Sequence, residues 1–144
     1  MKIKVKKLSC RAQLPSYGTT FSAGADLYAA QEEILEIAPG ETVMVPTGIA
    51  LEIPEGYGGF IYARSGLALK KGLAPANKVG VVDADYRGEV KVALYNQSSE
   101  PRQVEPGERI AQLVIAPFLK AEFETVQELS DTQRGVGGFG STGK

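Results

Sequence analysis

Two carboxylates, Asp83 and Asp85, stand where an apolar run of the chain ends, within the segment GVVDADYRGE at positions 80–89. The alternating pattern of residues 90–95 follows, so the sequence predicts a strand, a tight polar turn and a return strand, which together form a β-hairpin. A carboxylate fixed at the end of a buried strand, with Tyr86 presented on the turn, can act as a general base. A solvated hairpin is the simpler alternative, because Asp and Gly are ordinary turn residues.

The absence of histidine restricts the chemistry that this chain can perform. His-based triads are excluded, and with Cys10 as the one cysteine the usual zinc sites are excluded as well. Asp, Glu, Lys or Tyr must supply any hydrolytic base, and a metal ion must be held by oxygen atoms of carboxylates or of a substrate's phosphates. A lone cysteine also precludes an intrachain disulfide, which predicts a reducing, cytoplasmic location.

Length and charge limit the architecture and the partners. With 144 residues, of which 43% are hydrophobic and 23% charged, the chain is long enough for one domain with a substantial core. A net charge of −1 gives no sign of a nucleic-acid groove or of a surface for anionic membranes. We therefore expect neither a nucleic acid nor a membrane as a partner.

Other segments contain side chains suited to phosphate or to a nucleobase. Arg64, Ser65 and Gly66 stand at the beginning of a short predicted helix, where N–H groups and a guanidinium can converge on a phosphate. Asn77 can offer both a donor and an acceptor to a base edge. Gln112 interrupts an apolar strand, and a buried amide needs partners, which a ligand can supply.

Each of these residues also has a structural interpretation, and spacing alone leaves the choice open. A surface arginine followed by a helix-capping serine explains residues 64–66, and an asparagine before a strand often forms a turn. Asp26 lies among small residues at 23–29, where a buried structural carboxylate is as good an explanation as a ligand-binding one.

The C-terminal segment, residues 131–144, differs from the rest because it has five glycines and few apolar residues. Its composition predicts a mobile tail that cannot order itself alone. It nevertheless contains Arg134, Ser141 and Thr142 among glycines that free backbone N–H groups, which are the parts of an anion-binding nest. Phe139 is a lone aromatic side chain set among glycines in this segment, and it needs a surface on which to stack.

The elements that must position these residues are mostly strands. Period-two alternation predicts short strands at 2–5, 34–37, 42–45, 49–53, 60–63, 90–95 and 112–116. One short helix is predicted near 65–72, with Ser65 as its N-cap and Gly72 at its end. Many short strands broken by glycine and proline indicate an all-β, antiparallel jelly roll or barrel. We expect a core domain at 1–130 and a flexible arm at 131–144.

The motifs, taken together, resemble those of the homotrimeric deoxyuridine triphosphatase (dUTPase) family. Five segments match in order: AGADLYA at 23–29, RSGLA at 64–68, GVVDADYRGE at 80–89, ERIAQL at 108–113 and RGVGGFGSTG at 134–143. The resemblance implies a distorted antiparallel jelly roll of the β-clip type. It also implies an enzyme that converts dUTP to dUMP and pyrophosphate, which limits uracil in DNA and supplies dUMP for thymidylate synthesis.

The resemblance implies a role for each candidate residue. Asp83 is expected to deprotonate the water that attacks the α-phosphorus, and Tyr86 to pack under the deoxyribose and exclude a 2′-hydroxyl. The residues expected around uracil are Asn77, Val81, Val82 and Lys91. Those expected to hold the phosphates are Arg64, Ser65, Gly66 and Gln112.

Mg²⁺ is expected to bind through the substrate's phosphates and waters, with no direct protein ligand and with Asp26 as the candidate for a contact to metal-bound water. The arm is expected to close over an active site shared between subunits of a homotrimer, with Phe139 stacked on uracil. The arm residues expected at the γ-phosphate are Arg134, Ser141 and Thr142, and Gly140 is expected to bind the substrate as well.

Two other functions remain open at this level: a dCTP deaminase, and a nucleotide-binding regulator without turnover. The first predicts ammonia release from dCTP. The second predicts tight dUTP binding with no product even in the presence of Mg²⁺.

Overall fold

Short strands rich in β-branched and aromatic residues dominate the structure, as the alternating pattern predicts. The computed structural model describes residues 1–139, and within that range it contains eleven strands and one helix. They are β1 (Lys4–Lys7), β2 (Ser16–Tyr17), β3 (Ala25–Tyr28), β4 (Leu35–Ile37), β5 (Thr42–Glu52), β6 (Tyr57–Tyr62), α1 (Ser65–Lys71), β7 (Leu73–Pro75), β8 (Gly80–Val82), β9 (Glu89–Asn96), β10 (Arg102–Val104) and β11 (Arg109–Pro117).

The strands form two main antiparallel sheets around one core. One sheet has the order β2-β3-β11-β6-β8 and the other the order β1-β5-β9-β7, while β4 and β10 form a separate pair. Leu27, Ile61 and Leu113 enter the core from the first sheet. Val92 and Leu94 enter the same core from the second. The all-β, jelly-roll-like fold is therefore confirmed, and no helix within residues 1–139 is long and apolar enough to cross a bilayer.

The segment from Thr42 to Glu52 is one long strand, whereas the sequence pattern predicts two strands separated at Pro46. The strand continues because its pairing with β9 shifts register between Pro46 and Ala50, which is a bulge. Gly48 adopts a φ of 66° within the bulge, and the Thr47 hydroxyl donates a hydrogen bond to the Val90 carbonyl. Proline and glycine thus shape the strand rather than end it.

The predicted β-hairpin at 80–95 is wrong in its pairing, although both of its strands exist. β8 pairs with β6, and β9 pairs with β5 and β7, so the two strands belong to different sheets. Val82 and Val90 are both buried, because each points from its own sheet into the shared core. The turn at 83–88 therefore crosses from one sheet to the other and leaves a gap between the strands.

The short helix is present, but its N-cap differs from the prediction. Arg64 is the N-cap, with extended backbone angles and no side-chain capping hydrogen bond, and Ser65 is the first helical residue. The Ser65 hydroxyl is consequently not used to cap the helix. Gly72 ends the helix in the left-handed conformation, with a φ of 67°, as predicted.

The last strand ends at Pro117, and the described chain beyond it, 118–139, forms neither helix nor strand. Its large apolar side chains are exposed, including Phe123 at 95% and Leu119 at 99% of their full areas. The described residues of the same chain therefore leave this apolar surface uncovered.

Candidate active site

A cavity of about 400 Å³ opens between β8 and β9, in the gap that the crossing turn creates. We call it the inter-sheet cavity. Among the residues that line it are Asn77, Val81, Val82, Asp83, Tyr86 and Lys91. The structure thus brings together the residues that the family resemblance assigns to the general base and to the nucleoside.

The polar side of the inter-sheet cavity is the turn itself. Asp83 directly follows β8 and is exposed at the rim, and its carbonyl accepts a hydrogen bond from the Tyr86 backbone N–H at 3.2 Å. The Tyr86 hydroxyl donates to the Glu89 carbonyl at 3.0 Å. The Arg87 guanidinium donates to the carbonyls of Ala84 and Tyr86, at 2.6 and 3.1 Å. These bonds hold the turn in one shape, so the carboxylate and the ring keep a fixed relation.

The backbone of β8 offers the cavity N–H and C=O groups that pair with no other strand. β8 is the edge strand of its sheet, paired with β6 on one side. An edge strand presents a row of N–H and C=O groups that a ligand can engage. Val81 is 63% exposed at the middle of this edge, whereas Gly80 and Val82 are buried. A flat polar ring can therefore pair with main-chain groups here.

A second cavity of about 440 Å³ lies at the other end of the same sheet. We call it the arginine cavity. Among its lining residues are Asp26, Arg64, Ser65, Gly66, Arg109 and Gln112. It contains every residue that the sequence assigns to the phosphates outside the C-terminal segment.

One buried carboxylate organises the arginine cavity. Asp26 is 9% exposed, and its Oδ1 atom accepts from Arg64 Nε at 2.7 Å while Oδ2 accepts from Arg109 Nη1 at 3.3 Å. Two guanidinium charges face one carboxylate charge, so this cluster of three side chains retains a net positive charge. Such a cluster favours an anion with two oxygen atoms that a guanidinium can bind at once, such as a phosphate.

Gln112 crosses the floor of the arginine cavity. Its Nε2 atom donates to the Ala63 carbonyl at 2.8 Å, and its strand lies between β3 and β6, opposite Asp26 and Tyr62. The side chain passes close to Gly24, where a Cβ would lie 3.0 Å from Gln112 Cδ. The amide is thus partly satisfied by the backbone, and its position depends on a residue without a side chain.

Sequence reasoning did not single out Arg109 or Met44. Strict alternation places residues 109 and 112 on opposite faces of a strand. The pairing of β11 with β3 shifts register between Arg109 and Ala111, and this bulge allows Arg109 and Gln112 to line the same cavity. Met44 lines the inter-sheet cavity from β5 and is 56% exposed. The available signal was the alternation of β5, because Val43 and Val45 face the core and Met44 between them must therefore point away from it.

The two cavities lie far apart on one chain. Val82 pairs with Gly59 on β6, whereas Arg64 lies beyond the other end of that strand, five residues farther along the chain. At about 3.3 Å per residue, this places Asp83 and Arg64 roughly 15 Å apart or more. One copy of the chain therefore does not bring the candidate base to the candidate phosphate ligands.

The described part of the C-terminal segment reaches neither cavity. Arg134 donates to its own Gly137 carbonyl at 2.8 Å, and the Phe139 side chain is fully exposed. The predicted contacts of Gly140, Ser141 and Thr142 lie outside the described residues. Among residues 1–139, no three His, Cys, Asp or Glu side chains converge on a point where they could hold a metal ion.

Comparisons with known proteins identify the class to which this fold and these cavities belong. The family model described as dUTPase matches residues 10–143. The deoxyuridine 5′-triphosphate nucleotidohydrolase of Nautilia profundicola is 51% identical over 144 residues, which covers all of both chains. The dUTPase of Staphylococcus bacteriophage 80alpha, solved with dUPNHPP, has a TM-score of 0.91 at 31% identity and 99% coverage of both chains.

A mutant dUTPase from phage phi11 of S. aureus is also similar, with a TM-score of 0.80 at 28% identity over 89% of this chain and 98% of the other. That structure is described as revealing the coordination of a structural Mg(II) ion. The chain described here belongs to the dUTPase family. It is accordingly an enzyme, and the reaction it catalyses is the hydrolysis of dUTP.

Proposed function

We propose that Asp83 is the general base in this hydrolysis and that the products are dUMP and pyrophosphate. The observation that carries the proposal is the position of Asp83 and Tyr86 on one hydrogen-bonded turn at the rim of the inter-sheet cavity. The carboxylate takes a proton from water while the water oxygen bonds to the α-phosphorus. The bond from that phosphorus to the bridging oxygen of the β-phosphate then breaks, and pyrophosphate leaves with the electron pair.

The nucleoside is proposed to occupy the inter-sheet cavity. Uracil would pair with the free main-chain edge of β8 near Val81 and Val82, with Asn77 and Lys91 beside it. Cytosine presents the reversed donor pattern and would leave main-chain groups unpaired, which is costly in a closed site. Tyr86 would pack under the deoxyribose and leave no space for a 2′-hydroxyl. We thus propose that main-chain hydrogen bonds select uracil over cytosine and that the Tyr86 ring selects deoxyribose over ribose.

The triphosphate is proposed to lie in the arginine cavity, held by Arg64, Ser65, Gly66 and Gln112. The support is the positive charge that two guanidinium groups retain around Asp26, and the Ser65 hydroxyl, which does not cap the helix. Fixed donors stabilise the charge that develops on the departing pyrophosphate, and positioning contributes most of the catalysis in such reactions.

Mg²⁺ is proposed to bind through the substrate's phosphates and through water. The donor set fits this arrangement, because Mg²⁺ prefers oxygen ligands and keeps several waters, and Asp26 can accept a hydrogen bond from a metal-bound water. When bound in this way, the ion would neutralise phosphate charge and favour departure of pyrophosphate. No carboxylate cage in the protein is needed for this role.

The active unit is proposed to be a homotrimer in which each site combines parts of different copies. The distance between Asp83 and Arg64 on one chain supports this, since a second copy can supply the missing half. The exposed apolar side chains of 118–139 supply a surface for contact with a neighbour.

Residues 131–144 are proposed to form an arm that closes over the site of a neighbour, beyond a core that comprises residues 1–130. Phe139 would stack on uracil, Arg134, Ser141 and Thr142 would meet the γ-phosphate, and Gly140 would contact the substrate. Closure would exclude water and strengthen each charged contact. The exposed ring of Phe139, which contacts nothing in its own chain among the described residues, is the support for this step.

The reaction is proposed to keep dUTP low, which limits uracil in DNA, and to supply dUMP for thymidylate synthesis. The single cysteine, which allows no intrachain disulfide, is consistent with a cytoplasmic setting for this chemistry.

A substrate panel tests the proposed function. Pyrophosphate release is measured with dUTP, dCTP, dTTP and UTP, with and without Mg²⁺, and ammonia release is measured with dCTP. We expect strong turnover of dUTP but not of the other three nucleotides, and we expect it only when Mg²⁺ is present. Equal rates on UTP would refute the role of Tyr86, ammonia from dCTP would indicate a deaminase, and tight binding of dUTP without product would indicate a regulator.

A further inference from the structure

Gly88 lies against the tip of the Tyr86 side chain, in the turn that carries Asp83. A Cβ at position 88 would lie 2.6 Å from Tyr86 Cζ and 2.9 Å from Cε2, and it would overlap the hydroxyl oxygen. Cβ atoms essentially never approach other heavy atoms so closely. The tyrosine ring therefore occupies the space that any other residue at position 88 would fill.

The need for glycine at this position is spatial and not conformational. The glycines with positive φ in the described chain are at 40, 48, 56, 72, 107 and 135, and Gly88 is not among them. A positive φ therefore does not account for glycine at this position. The three nearest atoms that an added Cβ would meet all belong to the Tyr86 side chain, so a substitution is expected to act first on the ring.

Relief of the overlap falls to the Tyr86 ring, because the three nearest atoms that an added methyl group would meet are all at the end of this side chain, which is 47% exposed. The ring hydroxyl donates to the Glu89 carbonyl at 3.0 Å, only one residue beyond Gly88. A shift of the ring away from the methyl group therefore disturbs this hydrogen bond. The ring would then leave the place that it occupies in the wall of the inter-sheet cavity.

We propose that Gly88 is a positioning residue for sugar selectivity: it provides the space that the tip of the Tyr86 ring occupies while its hydroxyl is bound to the Glu89 carbonyl. The inference rests on the proposed function of Tyr86 as the surface under the deoxyribose. Gly88 itself touches no substrate, and its influence on the reaction passes through the ring.

A double-mutant cycle tests this inference through the ratio of kcat/KM for dUTP to that for UTP. Gly88→Ala is expected to lower the ratio by about tenfold, and Tyr86→Ala to lower it as well. In the Tyr86→Ala background, Gly88→Ala should change nothing further, because the ring with which it conflicts is absent. An unchanged ratio in Gly88→Ala, or an equal loss in both backgrounds, would overturn the proposal.

A second measurement follows the ring itself and does not depend on turnover. The ¹³C chemical shifts of the Tyr86 ring in tyrosine-labelled, ligand-free protein should change in Gly88→Ala, with a melting temperature close to that of the wild type. Unchanged shifts would overturn the placement of the ring by Gly88. Changed shifts together with a wild-type ratio in Tyr86→Ala would instead count against Tyr86 as the sugar-selecting residue, and so against that part of the proposed function.

Discussion

Asp26 holds two guanidinium groups on one carboxylate that is almost completely removed from water. If the charge of this carboxylate is removed, the positive charges of Arg64 and Arg109 remain near each other with no negative charge between them. Asp26→Asn should therefore destabilise the metal-free protein by about 2 kcal/mol, which urea unfolding measures. Glu33→Gln, at an exposed carboxylate, is the matched control and should leave the midpoint unchanged. An equal midpoint for Asp26→Asn would show that the two ion pairs contribute nothing to stability.

Asp83 and Asp85 lie two residues apart on the same turn and are both exposed, which provides an internal comparison. Asp83→Asn should lower kcat by about 10²- to 10⁴-fold, because an amide cannot accept the proton of the attacking water. Binding of dUTP, measured by calorimetry, should remain close to that of the wild type. Asp85→Asn should retain turnover. Near-normal kcat for Asp83→Asn would exclude this carboxylate as the base.

At the scale of elements, a buried hydroxyl is among the groups that hold β5 at its bulge. Thr47 is 1% exposed and donates to the Val90 carbonyl on the neighbouring strand. Thr47→Val keeps the shape of the side chain but removes the donor, and it should lower the free energy of unfolding by about 1–2 kcal/mol with kcat unchanged. Thr42→Val, at the exposed start of the same strand, should have little effect. Identical melting temperatures for the two variants would contradict the anchoring role.

The longer strands were predictable from sequence, whereas the short strands β2, β7 and β10 and the pairing of the strands were not. Val79–Val82 and Val90–Tyr95 have clear strand patterns, and both regions contain strands. Local pattern favoured pairing them in a hairpin, whereas burial of Val82 and Val90 in a core between two sheets decides the actual pairing. That core forms by packing between segments that are distant in the chain, and the alternation within a short segment does not reveal such packing.

The candidate site was likewise predictable in part. Motifs identified Asp83, Tyr86, Arg64 and Gln112, because carboxylate, aromatic, guanidinium and amide groups have recognisable chemistry. Arg109 was missed because a bulge in β11 changes the face to which it belongs. The separation of the residues into two cavities was also not predictable, since it depends on which end of β6 each segment meets.

At the scale of the whole molecule, the proposed sharing of sites between copies can be tested by complementation. Asp83→Asn and Arg64→Ala should each be inactive alone, but co-assembled copies should regain about a quarter of wild-type activity, because some sites then combine two intact halves. Mixing Asp83→Asn with the double variant Asp83→Asn/Arg64→Ala is the control. Neither of these chains carries Asp83, so no site has the proposed base and no recovery is expected. Absence of recovery in the first mixture would place the complete site on one chain.

The separation along β6 of the proposed base from the proposed anion-binding groups has a consequence for how the activity depends on the amount of protein. If sites are shared between copies as proposed, a chain would be inactive until it assembles with other copies. Specific activity would then fall on dilution instead of staying constant, and newly synthesised chains would begin to act only above a threshold abundance. The specific activity of the enzyme would in this way depend on its own concentration, because the two groups of residues lie at opposite ends of β6.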